Sequence, residues 1–202
     1  MADTTVFIVD DEEAVGDSIA MLLRSVGLRT KIFTDPRAFL NEYRPDQAGC
    51  LVLDVRMPKM SGLELQQELS RRRYTLPVIF TTGHGDVPMA VEAMRAGALD
   101  FLQKPFKDDE LIRRVQKALE QDAQERALLK QREALRQRWA DLTAREREVA
   151  DRIVDGQANK VVAMELAISE RTVELHRAHV MQKMGARALA QLVQMVLSLR
   201  QH

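Results

Sequence analysis

Cysteine occurs once in the 202 residues, at Cys50. A lone thiol closes no disulfide within its own chain, and its position in an apolar run marks it as a packing group. Long hydrophobic runs are missing: none reaches the ~18–20 residues that a membrane-crossing helix requires. The opening Met-Ala-Asp-Thr-Thr has neither the basic n-region nor the apolar h-region of a secretory leader. Both absences lead us to expect a cytoplasmic protein with no membrane partner. Neither charge sign is in excess, with 30 Lys and Arg against 30 Asp and Glu, so bulk electrostatics advertise no polyanion partner. No Walker phosphate-binding motif is present. Gly83-His-Gly85 begins like a dinucleotide fingerprint, but Pro88 stands where the third glycine belongs, which excludes a Rossmann cofactor site. His84, a single loop histidine, reads as a solvated group rather than a metal ligand. Ten scattered methionines read as packing filler.

What the chain has is order. With 46% hydrophobic residues it can bury a core, and its length suits two small domains. Four short apolar runs each lead into a polar group: Val6-Phe-Ile-Val9 into Asp10 and Asp11, Cys50-Leu-Val-Leu53 into Asp54, Val78-Ile-Phe80 into Thr81 and Thr82, and 99–102 into Lys104. Runs of this kind, separated by helical patterns at 14–26, 36–43, 63–72 and 87–96, predict buried parallel strands alternating with helices. Gly27 and Gly97 stand where helix C-caps belong. The expected fold is an α/β, doubly wound, five-stranded parallel sheet. In such a sheet, groups at the carboxyl ends of the strands converge on one crevice.

Three carboxylates, a hydroxyl and an ammonium would meet there. Crowded carboxylates repel unless a cation sits among them, and oxygen-only ligation suits Mg2+, which takes one or two protein carboxylates and keeps several waters. Asp54 is then a candidate nucleophile for phosphoryl transfer. Lys104 offers charge and Thr82 a hydroxyl to the phosphoryl oxygens.

These segments also carry a family likeness. Through Val9-Asp-Asp11, Leu53-Asp-Val-Arg-Met-Pro-Lys-Met-Ser-Gly62, Thr82-Gly-His-Gly-Asp-Val-Pro88 and Phe101-Leu-Gln-Lys-Pro-Phe106, residues 1–119 resemble the receiver domain of two-component response regulators. The resemblance implies a flavodoxin- or CheY-like receiver in which Asp54 is the phosphoacceptor. It implies Mg2+ on Asp11, Asp54 and the backbone carbonyl of Arg56, with Asp10 assisting. It also implies Thr82 and Phe101 as a switch pair, Lys104 on the phosphoryl group, and a cis bond between Lys104 and Pro105.

After Lys107 the pattern changes. Asp108-Asp-Glu110 opens a helix, and 111–138 contains neither Gly nor Pro, so the last receiver helix is expected to continue into a helical linker over 120–140. Leu128, Leu135 and Leu142 are spaced by seven, which reads as a coiled-coil seam or, equally, as a solvated helix, because Arg132 and Trp139 break the companion positions.

Residues 141–202 read as helices only. Thr143-Ala-Arg-Glu146 is a capping box, Gly156 closes that helix, Asn159 is expected to cap a second, and Ser169 a third that ends at Gly185. Two short-linked helices, the second with polar residues early on one face, form a helix-turn-helix. This segment holds nine Lys and Arg against eight Asp and Glu, so placement rather than net charge must carry DNA binding. Lys160, Arg171, Arg177 and Lys183 are candidates for phosphates and Glu174 and His176 for base edges, with Thr172 beside them. Val173, Val180 and Met184 are at core spacing. The segments Leu142-Thr-Ala-Arg-Glu-Arg-Glu-Val149 and Ser169-Glu-Arg-Thr-Val-Glu-Leu-His-Arg177 resemble the LuxR-type DNA-binding domain. The whole chain is similar to NarL/FixJ-family response regulators.

That resemblance implies a cognate sensor histidine kinase, dimerisation on phosphorylation through 89–95 and 98–102, and a double-stranded operator of imperfect palindromic form. It leaves room for contact with RNA polymerase. An enzyme is not expected: phosphatases of the haloacid dehalogenase type place a second Asp two residues after the nucleophile, and Arg56 stands there. A helix-turn-helix that binds DNA constitutively is the remaining alternative.

Overall fold

The computed structural model describes residues 4–83 and 87–200, the side chain of Val87 excepted. His84, Gly85 and Asp86, and with them the reading of His84, lie outside the described residues. The elements are β1 (Thr5–Val9), α1 (Glu13–Ser25), β2 (Arg29–Phe33), α2 (Pro36–Glu42), β3 (Gly49–Asp54), α3 (Gly62–Arg71), β4 (Val78–Thr82), α4 (Val87–Arg95), β5 (Asp100–Gln103) and α5 (Asp108–Ala140). Then follow α6 (Ala144–Val154), α7 (Asn159–Leu166), α8 (Glu170–Met184) and α9 (Leu189–Arg200). Two compact units result, one reaching to Arg126 and the other starting at Ala127.

The first unit is a parallel five-stranded sheet of order β2-β1-β3-β4-β5. Strand side chains alternate, so each apolar run feeds two cores. Phe7, Val9, Leu51, Leu53, Val78 and Phe80 pack on one face, and Val6, Ile8, Cys50, Val52, Ile79 and Leu102 on the other. Helices cover both faces, which is why β3 is buried at every residue and reads as an unbroken apolar run. An aromatic cluster of Phe7, Phe39 and Tyr43, with Phe39 stacked on Tyr43 at 5.3 Å between centroids, fills the side under α2. Cys50 is fully buried, and burial pushes its thiol far above the usual range, so it stays protonated and inert. Among the described residues no helix is long and apolar enough to cross a membrane.

Two glycines are sterically required. A Cβ at Gly49 would sit 1.9 Å from the Thr5 carbonyl oxygen, and one at Gly62 would sit 2.3 Å from that of Asp54. Gly62 thus lets α3 start directly against the end of β3. The Ser61 capping box with Glu64 then fixes that start.

The second unit is all helical among its described residues. Val180, Met184, Leu192 and Val196 form one core with Leu142 and Ala150; Val149, Ile153, Val162, Leu166 and Val173 form another. Thr143 and Glu146 make the expected capping box, and Ser169 Oγ accepts from the Thr172 amide. Ala167, at φ 52°, and Gly185, at φ 71°, end α7 and α8 in left-handed geometry. Asn159, by contrast, does not cap α7. Ala158 holds that position without a side-chain bond, while the Asn159 amide oxygen accepts from Arg177 instead. The leucines spaced by seven do not share one environment either. Leu135, Trp139 and Leu142 pack into the second unit's own core, whereas Leu128 is 55% exposed.

Candidate functional site

Strand register brings the predicted polar groups of the first unit to one edge. Val9 pairs with Leu53, Asp54 with Thr81 and Thr82 with Gln103, so Asp10, Asp54, Thr82 and Lys104 all emerge at the same carboxyl end. Lys104 Nζ lies 2.7 Å from Asp10 Oδ2 and 2.8 Å from Asp54 Oδ1, bridging residues 94 and 50 positions away. The other carboxylate oxygens are also held: Asp54 Oδ2 accepts from the Arg56 amide at 2.7 Å, and Asp10 Oδ1 from the Glu12 amide at 3.1 Å. The Lys104 amide donates to the Thr82 carbonyl at 2.7 Å, and the Lys104–Pro105 bond is cis, as expected.

Burial sets the electrostatics. Asp10, Asp54, Thr81 and Thr82 are all buried. Desolvation raises the Asp54 carboxyl above its ordinary value, and the hydrogen bond from Lys104 offsets only part of that. Desolvation pulls Lys104 down, yet its bonds to Asp10 and Asp54 prevail and raise it overall. A buried anion pair with a single ammonium leaves one uncompensated negative charge. The pocket therefore favours an added cation, and Asp54 has the raised basicity that favours attack on an electrophile.

Not every predicted residue joins this contact. Asp11 is exposed, and among the described residues no three His, Cys, Asp or Glu side chains gather as a metal-binding group. Asp10 reaches Lys104 directly. Phe101 is half-buried against the core that contains Phe80, and its amide donates to the Asp100 carboxylate at 2.8 Å. Thr81 Oγ1 is buried with no hydrogen-bond partner among the described residues.

In the second unit, α8 turns Val173, Val180 and Met184 inward, as its spacing predicts. Lys160, Arg171 and Glu174 are exposed, while Thr172 is half-buried with its hydroxyl 2.8 Å from Ser169 Oγ. Arg177 is half-buried and donates to Asn159, and His176 is half-buried with Nδ1 enclosed and unpartnered. Lys183 is exposed, and its ammonium lies 2.7 Å from Glu146 Oε2, an ion pair within the unit. Sequence reasoning passed over Leu175, which is 55% exposed on the same turn as Glu174. Its offset from the Val173–Val180 core spacing is the signal that marks it as outward-facing.

Comparison with known proteins agrees with both halves. Residues 6–116 match the family model "Response regulator receiver domain", and residues 140–196 match "Bacterial regulatory proteins, luxR family". The chain belongs to the LuxR-type response regulators. This response regulator is 48% identical over 192 residues to the transcriptional regulatory protein FixJ of Azorhizobium caulinodans, covering 95% of the chain and 91% of FixJ. It is 42% identical over 191 residues to the response regulator protein TmoT of Ectopseudomonas mendocina, covering 95% and 87% respectively. Among solved structures, response regulator StyR superposes with a TM-score of 0.89 at 44% identity, covering 98% of this chain and all of that one. Full-length FixJ from B. japonicum gives a TM-score of 0.58 at 40% identity, covering 96% and 95%.

Proposed function

We propose that Asp54 of this response regulator accepts a phosphoryl group from the phosphohistidine of a cognate sensor histidine kinase. A carboxylate oxygen of Asp54 forms the new P–O bond as the P–N bond breaks, leaving the kinase imidazole and an acyl phosphate. The observation that carries this reading is the single Lys104 ammonium shared between Asp10 and Asp54. Lys104 already sits where it can bind the incoming oxygens, and the product's added charge gives it and Thr82 a stronger partner than the carboxylates alone.

Receiver domains typically bind Mg2+ at this site. By donor type the carboxylates of Asp10 and Asp54 and the Arg56 carbonyl suit a hard cation, and Asp11, exposed and outside the Lys104 contact, would have to turn in to complete the set, since among the described residues no three acidic side chains gather. Bound there, the ion would supply positive charge that offsets the crowding of carboxylate and phosphoryl oxygens. Everything else falls to the chain: Lys104 orients, Arg56 N–H holds one Asp54 oxygen, and the buried sheet edge excludes water. We assign no turnover of external phosphate esters, because Arg56 occupies the place of a second carboxylate acid.

Charge gained at Asp54 is proposed to draw Thr82 toward the phosphoryl group, turn Phe101 inward and reshape 89–95 and 98–102 into a dimer surface. Exposed Val91 and Met94 support that surface. Moving an equilibrium from 1:99 to 99:1 takes about 5.5 kcal/mol of differential stabilisation, within reach of several charge-assisted contacts. The dimer would set two α8 helices on half-sites about 34–36 Å apart in an imperfect palindrome, with RNA polymerase a further partner and the cytoplasm the setting. The test is Asp54→Asn with radiolabelled acetyl phosphate and Mg2+. Loss of label and of induced dimerisation is expected; label retained at wild-type level would refute the assignment.

A further inference from the structure

One buried polar group at the edge that holds Asp54 has nothing to bond to. Thr81 is 1% exposed, and its Oγ1 is enclosed without a hydrogen-bond partner among the described residues. A buried hydroxyl left unpaired costs free energy that an apolar side chain of the same shape avoids. Valine would fill the same space in the strand and suit it equally well, so packing does not account for the hydroxyl.

Strand register puts Thr81 beside the acceptor. It pairs with Asp54 on one side and with Leu102 on the other, and its carbonyl accepts from the Val55 amide at 3.0 Å. Side chains alternate along a strand, and partners in register on neighbouring strands, about 4.8 Å apart, share a face. Val52, Ile79 and Leu102 pack in one core, so two residues further on Asp54, Thr81 and Lys104 leave the sheet on that same face. Thr81 stands between the other two, because β4 lies between β3 and β5. The Lys104 ammonium on Asp54 Oδ1 agrees with that shared side. Thr82, one residue on, starts from the opposite face with Phe80, so the two hydroxyls are not interchangeable.

Both Asp54 oxygens have donors in the unphosphorylated site, Oδ1 from Lys104 and Oδ2 from the Arg56 amide. A phosphoryl group draws the ammonium onto its own oxygens and frees Oδ1 within a buried edge, where an acceptor without a donor is costly. Among the described residues Thr81 is the unpartnered buried donor of this edge, and rotation about χ1 can turn its Oγ1 from one neighbouring strand toward the other. We propose, on the reading that Asp54 is phosphorylated, that Thr81 is a positioning residue of the phosphorylated state: its hydroxyl takes over the Asp54 oxygen that Lys104 releases. A bond that forms only in that state shifts the equilibrium toward it.

The test uses the full chain with Mg2+ and beryllofluoride, which binds a carboxylate oxygen in imitation of an acyl phosphate and so reads the phosphorylated state at equilibrium. Thr81→Val weakens beryllofluoride binding about fivefold, the equivalent of one net hydrogen bond of about 1 kcal/mol, while its ligand-free melting temperature is native or higher. Thr81→Ser, which keeps the hydroxyl and loses a methyl, binds within about twofold of native although it melts lower. Thr81→Ala differs from Thr81→Ser by the hydroxyl alone and shows the same gap from it, which serves if Thr81→Val does not fold. Native-like binding by Thr81→Val, or equal binding by the Ser and Ala variants, overturns the proposal. So does a ligand-free Thr81→Val chain that melts below native, because the hydroxyl would then have a partner before phosphorylation. A native chain that neither binds beryllofluoride nor takes label from acetyl phosphate defeats the phosphoacceptor reading instead.

Discussion

The Lys104 ammonium stands 2.8 Å from the Asp54 carboxylate and 2.7 Å from that of Asp10. Two buried acids are thereby kept apart by one cation. Replacing Lys104 with Met should lower stability by about 3 kcal/mol, the low end for a broken buried ion pair, because both buried carboxylates are then left without a cation. Millimolar Mg2+ should raise the melting temperature of that variant by more than it raises the native value, since the ion would take over the neutralising role. Equal Mg2+ responses would show that the metal and the ammonium do not share the same carboxylates.

Gly62 should tolerate no side chain. The Cβ of Gly62→Ala would meet the Asp54 carbonyl at 2.3 Å and Phe80 Cε1 at 2.9 Å. The expected cost is about 2–3 kcal/mol by denaturant melts, as for other overpacked cores. A variant of native stability would show that α3 shifts freely against β3.

Glu146 makes the second unit's stability sensitive to acid. It is only 4% exposed, and the Lys183 hydrogen bond, helped by Thr143, lowers its carboxyl from 4.5 to about 2. A group depressed on folding stabilises the fold above its ordinary value and loses that contribution as pH falls. The difference in stability between the native chain and Glu146→Gln should therefore be full at pH 7, about 1–2 kcal/mol for a charged hydrogen bond whose lysine is partly solvated. It should shrink between pH 4.5 and about 2. A difference independent of pH across that window would exclude the ion pair as its source.

DNA binding should separate the α8 residues by role. Arg171→Ala should reduce the slope of log affinity against log salt by about 1, the signature of one phosphate contact. Glu174→Ala and Leu175→Ala should leave the slope unchanged but relax base preference, by about 1–3 kcal/mol at the position read. Lys183→Ala should alter neither measurement beyond its effect on stability. A full unit of slope lost with Lys183 would place it on the phosphate backbone after all.

Much of this protein is legible without coordinates. Apolar runs of strand length each ended by a polar residue determine the β/α alternation, and with it Asp54, Asp10 and Lys104 at one sheet edge, since parallel strands must share their carboxyl ends. Thr143, Ser169 and Gly185 declare their helix ends because capping is a local matter of side chain and nearby amide.

Only the tertiary structure decided which charges and apolar groups already had partners. Lys183 faces Glu146, Asn159 faces Arg177, Leu135 and Leu142 close a core, and Asp122 and Arg126 reach back to Gly49, Pro45 and Gln47. Each of these pairings, except those in the leucine spacing, joins segments at least 18 residues apart. Residue spacing reports which face of its own helix a side chain occupies. It carries no record of which distant surface that face will meet, because the meeting is set by how whole helices and strands pack.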